Sequence, residues 1–399
     1  MSLEKNYIII GNGIAGMTAA EEIRKSDKNS KIKIFSEESY LTYYRIKLSH
    51  SISQDVKPQD LLIHNEDWYK ERNIEVFLNK KVKAIDPDNL RIFLENGEGV
   101  SYDKLLLANG SQPSIPPIEG INQEGVYALR TVQDLQNLQG YLKDCKEVAV
   151  IGGGLLGLEA AWSLKERGLK VHVLEFFPYL LPRQLDKELA IYVKERLETQ
   201  GLNIHVSAAT KEILGSDKVV GVQLGDGRKI PADMVLLSTG VKANIDILKD
   251  SGIDTNRGVI VDANMKTTVD NIYAAGDIVE YNGVLLALWS DAVQQGKIAA
   301  KNMLGIREDY GLPEPATLLS IGGFSAFSVG EIKDTEENIS YKEGDIFHKL
   351  FIENGKLIGG VLTGNVKKMA VLKKAVNENL DISSLLNKNM HIPDILDNI

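Results

Sequence analysis

Residues 7–16 read YIIIGNGIAG, an apolar run that leads into a turn with three glycines. The pattern predicts a buried strand, a tight turn and a helix, because glycine lets a backbone approach a pyrophosphate and adopt the positive φ angles of tight turns. The helix would direct its free N–H groups and the positive end of its dipole at the phosphates. This first glycine motif predicts a dinucleotide site with the contacts Gly11, Gly13, Ile14, Ala15 and Gly16.

The same arrangement recurs at residues 148–157, which read VAVIGGGLLG. A single glycine-rich turn is weak evidence, but both motifs follow an apolar, strand-like run and precede a helix-like segment. Two dinucleotide sites on one chain suit hydride transfer from a nicotinamide to a flavin. The contacts predicted for this second glycine motif are Gly152, Gly154, Leu155, Leu156 and Gly157.

An acidic residue at the end of the following strand binds ribose hydroxyls in units of this kind. Glu37 or Glu38 occupies that place in the first unit, and Glu175 occupies it in the second. The alternative is that these are solvated carboxylates at strand ends. Two phenylalanines follow Glu175, and no arginine stands there to take a 2′-phosphate. The second site is therefore predicted to prefer NAD over NADP.

The composition is that of a globular protein of two or three domains, with 399 residues, 43% hydrophobic and 25% charged. A net charge of −9 argues against a general nucleic-acid binder. The apolar stretch 148–164 contains Glu159 and several glycines, so we interpret it as strand, turn and helix rather than a membrane span. The single cysteine, Cys145, excludes an intrachain disulfide. We expect a cytoplasmic protein, monomeric or homodimeric, without nucleic-acid or membrane partners.

Later in the chain, apolar strands end in the small-residue turns Ala108-Asn109-Gly110 and Ser238-Thr239-Gly240, and a further strand leads into Ala274-Ala275-Gly276-Asp277. The last part of the chain differs and predicts a small α+β domain. Its predicted elements are strands at residues 324–332, 348–353 and 359–363, a hairpin turn at Asn354-Gly355 and a helix at residues 366–379.

Four segments occur in this order: the first glycine motif, the second glycine motif with Glu159, the turn Ser238-Thr239-Gly240, and the segment Tyr273-Ala274-Ala275-Gly276-Asp277. Together they resemble the two-dinucleotide-binding flavoprotein oxidoreductases over nearly the whole chain. Asn109 in the first small-residue turn departs from the threonine usual there but can still form a hydrogen bond. The resemblance implies an α/β fold with two Rossmann-like units, the second inserted in the first, and a C-terminal α+β domain. The implied domains are residues 1–113 and 241–312 for FAD, 114–240 for NAD, and 313–399.

The resemblance also implies contacts to FAD outside the first glycine motif. Asp277 would hydrogen-bond a ribityl hydroxyl, and Trp289 would pack beside the flavin at the start of a helix. Where many relatives have a lysine near flavin N5, this sequence offers His50 or Lys47, and the choice stays open.

Two arginines belong to the same set. Arg45 and Arg130 would contact FAD phosphates or adenine, unless they form surface ion pairs instead. The remaining cofactor contacts that the resemblance implies are Val82, Ala108, Gly110, Gly240 and Gly276.

Within that family, residues 35–49 look like NADH:rubredoxin reductases and the amino-terminal part of assimilatory nitrite reductases. No cysteine stands near the predicted flavin site, so a disulfide cannot relay electrons and the reduced flavin must serve an outside acceptor. We expect electrons to pass from NADH through FAD to a small carrier such as rubredoxin. Two alternatives stay open: an NADH oxidase that reduces oxygen, and an NADH-responsive redox sensor or interaction module.

Overall fold

The computed structural model describes residues 4–388 and 390–399, and they form two compact units. The first unit comprises the chain up to residue 47, residues 56–114 and residues 240–312. The second comprises residues 48–55, 115–239 and 313–399. In the described part of the chain, no helix combines the length and apolarity that crossing a bilayer requires.

A five-stranded parallel sheet forms the middle of the first unit. Its central strand carries Ile8, Ile9 and Ile10, which are all buried. Strands of a parallel sheet are covered on both faces, which is why this strand is a continuous apolar run. In spatial order the strands are Ile272–Ala274, Lys104–Leu107, Asn6–Ile10, Lys31–Phe35 and Ile74–Phe77.

Two long helices of the first unit, Ile14–Ser26 and Trp289–Met303, pack on each other. A Cβ atom at Gly296 would overlap the carbonyl oxygen of Ala15, so this close contact depends on a glycine. The other helices are Arg45–Lys47, Pro58–Leu61, Glu66–Glu71 and Asp246–Leu248. The smaller strands are Val82–Asp86, Arg91–Leu94, Gly99–Ser101, Ser111–Pro113, Val241–Ala243, Val259–Ile260 and Val279–Glu280.

The second unit repeats the parallel sheet. In spatial order its strands are Asn203–His205, Lys170–Leu174, Glu147–Ile151, Met234–Leu237 and Val126–Ala128. A small antiparallel sheet consists of Thr210–Leu214, Gly221–Leu224 and Lys229–Pro231. The helices are Leu48–Ser51, Val132–Tyr141, Leu142–Asp144, Leu155–Glu166 and Lys187–Thr199.

Residues 313–399 form an antiparallel sheet with three helices. In spatial order the strands are Ala316–Ile321, Phe324–Gly330, Lys356–Thr363, Ile346–Glu353 and Ile339–Glu343. The helices are Met369–Asn377, Ser383–Leu386 and Ile392–Asp397. Asn354 and Gly355 have φ angles of 52° and 72°, the left-handed conformations of the hairpin turn predicted there.

The predicted fold class, two Rossmann-like units and a small α+β part, is confirmed. Strands Lys31–Phe35 and Lys170–Leu174 have the predicted bounds. The helix predicted at residues 366–379 is shorter, Met369–Asn377. Strands Ala316–Ile321 and Ile339–Glu343 were missed, because neither shows a long apolar run.

Candidate functional site

The first glycine motif contains two glycines that the protein itself requires. Gly11 has a φ of 105°, and a Cβ atom there would overlap the carbonyl oxygen of Ala108 at the end of the neighbouring strand. A Cβ atom at Gly16 would overlap the carbonyl oxygen of Gly11. These two glycines shape the turn between strand and helix, as the sequence predicts.

Gly13 is different, because nothing in the described protein requires a glycine there. Its φ of −81° suits any residue, and beyond its two chain neighbours no described residue has an atom within 4 Å of where a Cβ atom would stand. The helix Ile14–Ser26 begins directly after it, and no described side chain caps its free N–H groups. Open space in front of an uncapped helix N-terminus fits a pyrophosphate.

Asn12 adds an unpaired donor to the same turn. The residue is buried, its Oδ1 accepts a 2.8 Å hydrogen bond from Thr42 Oγ1, and its Nδ2 has no partner among the described residues. Buried donors are normally paired, so this one also fits a group outside the protein. Sequence reasoning assigned Asn12 no role, because the spacing of the glycines carries no information on the residue between them.

The two acidic candidates after the second strand have different partners. Glu38 accepts hydrogen bonds of 2.6 Å from both Arg45 Nη2 and Tyr43 OH. Burial opposes the charge of Arg45, but Tyr43 and Glu38 outweigh it and raise the pKa of the guanidinium. Glu37 is exposed and pairs with Lys81 Nζ at 2.6 Å. The structure therefore joins Arg45 to Glu38 rather than to Glu37.

The AAGD segment lies against the first glycine motif. A Cβ atom at Gly276 would stand 3.1 Å from Cβ of Ala15, in the first turn of the motif's helix. Asp277 follows, and its Oδ2 accepts a 2.9 Å hydrogen bond from Ser111 Oγ. The structure thus brings Asp277 into the neighbourhood of the first glycine motif, as the resemblance implies.

The turn Ala108–Gly110 leads on from the neighbouring strand, and Asn109 has a structural use. Its Nδ2 donates to the carbonyl oxygen of Asn244, and Asn244 Nδ2 donates to the carbonyl oxygen of Asn109, both at 2.7 Å. This reciprocal pair ties the turn to the segment after Val241–Ala243. The Asn109 side chain supplies the donor of one of these bonds, and its backbone carbonyl accepts the other.

Trp289, Tyr44 and Lys47 form a small stack in the first unit. The rings of Trp289 and Tyr44 are stacked with centroids 6.0 Å apart, and Lys47 Nζ lies 4.4 Å from the centre of the Tyr44 ring. Val82 is buried at the start of its strand.

The second glycine motif repeats the geometry of the first. Gly152 has a φ of 117°, and a Cβ atom there would overlap the carbonyl oxygen of Ser238, two residues before Gly240. A Cβ atom at Gly157 would overlap the carbonyl oxygen of Gly152. Gly154 has a φ of −80°, and beyond its two chain neighbours no described residue has an atom within 4 Å of its Cβ position. This site also fits a pyrophosphate.

The helix of the second motif, Leu155–Glu166, also begins without a side-chain cap in the described structure. Leu156 in its first turn is exposed. Glu175, at the end of the next strand, is only 6% exposed. Its Oε2 accepts a 2.6 Å hydrogen bond from the Gly153 N–H, and its Oε1 accepts one of 2.8 Å from the Phe177 N–H. Glu175, the residue predicted to bind a ribose, therefore also holds the second glycine motif in place through its hydrogen bond with Gly153.

His50 lies in the second unit beside a residue that sequence reasoning did not assign. His50 Nε2 is 3.8 Å from Glu159 Oε1, and Ser49 Oγ donates a 2.8 Å hydrogen bond to Glu159 Oε2. Burial raises the pKa of Glu159, and Ser49 and His50 partly offset that effect. The sequence did contain a signal for Glu159, because it is an ionisable residue in an otherwise apolar stretch of the helix Leu155–Glu166. Lys47, the other N5 candidate, belongs to the first unit.

Arg130 and Cys145 lie in the second unit. Arg130 precedes the helix Val132–Tyr141, and its backbone N–H donates a 3.0 Å hydrogen bond to Asp134 Oδ2. The Cys145 thiol donates to the carbonyl oxygen of Tyr141 at 3.5 Å. Burial raises the pKa of this thiol to about 11, so it is not a thiolate at neutral pH. The described residues contain no cluster of three metal-binding side chains.

Fold and sites together define an α/β protein with two dinucleotide sites of the same design. Residues 5–296 match the family model of pyridine nucleotide-disulphide oxidoreductases, and the chain belongs to this family. Residues 315–380 match the C-terminal domain of rubredoxin NAD+ reductase. FAD and NAD(H) are the cofactors of this family, and the two open, uncapped glycine motifs fit them.

Known proteins resemble the chain over most of its length. A nitrite reductase (NAD(P)H) of Bacillus subtilis is 36% identical over 95% of this chain, but the chain spans only 48% of that relative. An NADH oxidase of Methanocaldococcus jannaschii is 34% identical over 94% of this chain and 92% of its own. The crystal structure of NADH:rubredoxin oxidoreductase from Clostridium acetobutylicum superimposes with a TM-score of 0.84 at 28% identity, covering 99% and 100% of the chains.

Proposed function

We propose that the protein takes electrons from NADH, passes them through FAD and delivers them to an external electron carrier, with rubredoxin the expected partner. One observation carries the proposal. In both glycine motifs, a glycine with free space at its Cβ position precedes a helix that has no side-chain cap. The only cysteine, Cys145, is a protonated thiol that donates a hydrogen bond to a backbone carbonyl. These features provide sites for two dinucleotides, whereas a single cysteine cannot form a redox-active disulfide within the chain. The match of residues 315–380 to a rubredoxin reductase domain supports the choice of carrier.

FAD is assigned to residues 1–113 and 241–312. In this assignment Gly13 and the N-terminus of Ile14–Ser26 hold the pyrophosphate, Glu37 or Glu38 takes the ribose, and Asp277 takes a ribityl hydroxyl. The start of the helix Trp289–Met303 stabilises negative charge on the flavin. Bound FAD supplies the conversion of a two-electron donor into single electrons, and the protein's part is binding and orientation.

NADH is assigned to residues 114–240. Gly154 and the N-terminus of Leu155–Glu166 hold its pyrophosphate, and Glu175 accepts hydrogen bonds from a ribose diol. The carboxylate of Glu175 has acceptor capacity beyond the two backbone N–H groups it already binds. It would repel a 2′-phosphate, so the site favours NADH.

The group near flavin N5 is Lys47 or His50 in this proposal. His50 lies beside Glu159, with 3.8 Å between His50 Nε2 and Glu159 Oε1. Lys47 lies over the ring of Tyr44, which stacks on Trp289. Changing each residue separately and measuring the rate at which NADH reduces the flavin distinguishes them.

A second candidate function is an NADH oxidase that reduces oxygen. The observation in its favour is the 34% identity to an NADH oxidase over nearly the full length of both chains. Many exposed reduced flavins react with oxygen, so the same two sites serve this function equally well.

The experiment is a comparison of acceptors with the purified protein. We expect one FAD per chain, fast anaerobic reduction by NADH, and faster turnover with rubredoxin than with oxygen. Faster turnover with oxygen would favour the oxidase. A protein that gains no flavin absorbance on reconstitution would overturn the whole proposal.

A further inference from the structure

A buried carboxylate in the first unit has no role in the function proposed above. Asp291 lies in the first turn of the helix Trp289–Met303 and is only 5% exposed. Gln295, one turn later, and Tyr310 are buried around it. Burying a carboxylate costs free energy unless hydrogen bonds compensate, so the position of Asp291 calls for an explanation.

Asp291 determines which way the amide of Gln295 points. Gln295 Nε2 donates a 2.9 Å hydrogen bond to Asp291 Oδ2, and Tyr310 OH donates to Asp291 Oδ1. A carboxylate only accepts hydrogen bonds, so it selects the amide orientation with Nε2 toward itself. Gln295 Oε1 is then left to accept a 2.8 Å hydrogen bond from the Gly276 N–H.

This chain of hydrogen bonds ends one residue before the carboxylate assigned to FAD. Gly276 has a φ of 87° and precedes Asp277, which Ser111 holds from the other side. A Cβ atom at Gly276 would stand only 3.1 Å from Cβ of Ala15, so the turn has little room for a side chain at this position. The place of Asp277 therefore depends on Gln295 and, through Gln295, on Asp291.

The charge of Asp291 has a second effect. Burial raises the pKa of this carboxyl, the Tyr310 hydrogen bond opposes that rise, and the charge of Asp277 adds to it. The N-terminal turn of a helix favours the ionised form. An ionised carboxylate there offsets part of the attraction that the helix end exerts on another anion.

We propose that Asp291 is a positioning residue of the flavin site: through Gln295 it fixes the Gly276–Asp277 turn for FAD, and its charge disfavours added negative charge on the reduced cofactor. The inference rests on the assignment of FAD to the first unit. It predicts an effect on cofactor affinity and on the balance between the two redox states.

The test uses D291N, Q295M and the control D250N, which neutralises an exposed carboxylate in the same unit. Apoprotein is titrated with oxidised and with reduced FAD, and each Kd is measured. We expect D291N to weaken oxidised FAD about tenfold, the loss of a hydrogen bond to a charged group. Reduced FAD should lose less, because a repelling charge is gone. Q295M should weaken both states equally, and D250N neither.

The ratio of the two constants is the decisive measurement, because a merely structural role would not change it. A tenfold change in that ratio in D291N corresponds to a rise of about 30 mV in the two-electron potential. Unchanged constants in D291N, or two constants weakened by the same factor, with wild-type apoprotein binding FAD, would overturn this inference alone. A wild type that binds no FAD would remove the proposed function as well. Should D291N not fold, unchanged FAD binding in Q295M would overturn the inference.

Discussion

The backbone N–H of Gly153 donates a 2.6 Å hydrogen bond to Glu175 Oε2. The same carboxylate accepts from the Phe177 N–H, and the carbonyl oxygens of Glu175 and Phe177 each accept a 2.8 Å hydrogen bond from the facing segment. Glu175 is therefore held rigidly while it holds the glycine motif. A charge fixed so firmly beside the proposed ribose site should discriminate strongly between the two nicotinamide cofactors.

We predict that E175Q narrows the preference for NADH over NADPH. Glutamine keeps the shape of the side chain and one acceptor oxygen, but it removes the charge that repels a 2′-phosphate. The ratio of kcat/KM for NADH to kcat/KM for NADPH should fall. Expressed as a free-energy difference between the two cofactors, the change should be about 1–3 kcal/mol, the range for a hydrogen bond to a charged group. Steady-state kinetics with each cofactor measures it.

The matched control is E195Q, which removes an exposed carboxylate from the helix Lys187–Thr199 in the same unit. That variant should keep the ratio of the wild type. Should E175Q keep it too, Glu175 is a brace for the loop and not the residue that selects the cofactor.

We predict opposite outcomes for two alanine substitutions in the second glycine motif. G154A places its Cβ in open space, so the protein should fold normally but raise KM for NADH about tenfold or more. G157A places its Cβ on the Gly152 carbonyl oxygen, so it should cost about 1–3 kcal/mol of folding stability. Thermal unfolding and NADH kinetics together separate the effects. Normal NADH binding in G154A would show that the space before the helix is not the pyrophosphate site.

The same comparison applies to the first motif. G13A should retain less FAD after gel filtration, yet its apoprotein should unfold at the temperature of the wild-type apoprotein. The G16A apoprotein should unfold earlier, because its Cβ meets the Gly11 carbonyl oxygen. A G13A protein that keeps its full FAD content would remove Gly13 from the proposed site.

Much of this arrangement could be predicted from the sequence, because local chemistry determines it. Gly11, Gly16, Gly152 and Gly157 mark positions where a side chain cannot fit. The apolar runs mark strands covered on both faces. Glu159 and Asp291 could not be assigned a role in this way. Glu159 has Ser49 and His50 as partners. Asp291 has Tyr310 and Gln295 as partners. For Glu159 these contacts join segments far apart in the chain, and for Asp291 they need the burial that only packing supplies. Strands such as Ile339–Glu343 were missed because their residues are half polar and their pairing, not their composition, makes them strands.

We predict that electron transfer needs no protein thiol. Because burial raises the pKa of Cys145 to about 11, the thiol carries its proton at neutral pH and is a poor nucleophile. C145S should reduce an external acceptor at the wild-type rate. Anaerobic titration should consume two electrons per FAD in both proteins. Consumption of four electrons, or loss of turnover in C145S, would return the chain to a thiol-dependent mechanism.

The last prediction concerns stability in acid. His348, in the strand Ile346–Glu353, is buried, and its Nδ1 has no partner among the described residues. Burial lowers its pKa to about 4, below the value of about 6.5 in an unfolded chain. The unfolded state therefore binds a proton first as the pH falls, and the folded state loses stability between about pH 6.5 and pH 4. Between pH 7 and pH 5 this one group should cost about 1–2 kcal/mol.

Urea unfolding at pH 7 and at pH 5 measures this cost as the change in the free energy of unfolding. The unfolding is followed with a probe that reports on residues 313–399. In H348Q the loss of stability from pH 7 to pH 5 should shrink by that amount, whatever the substitution does to stability at pH 7. The exposed His391 provides the control, and H391Q should show the pH dependence of the wild type. Equal pH dependence in H348Q and the wild type would mean that His348 titrates normally in the folded protein, and that its burial does not govern the acid stability of this part of the chain.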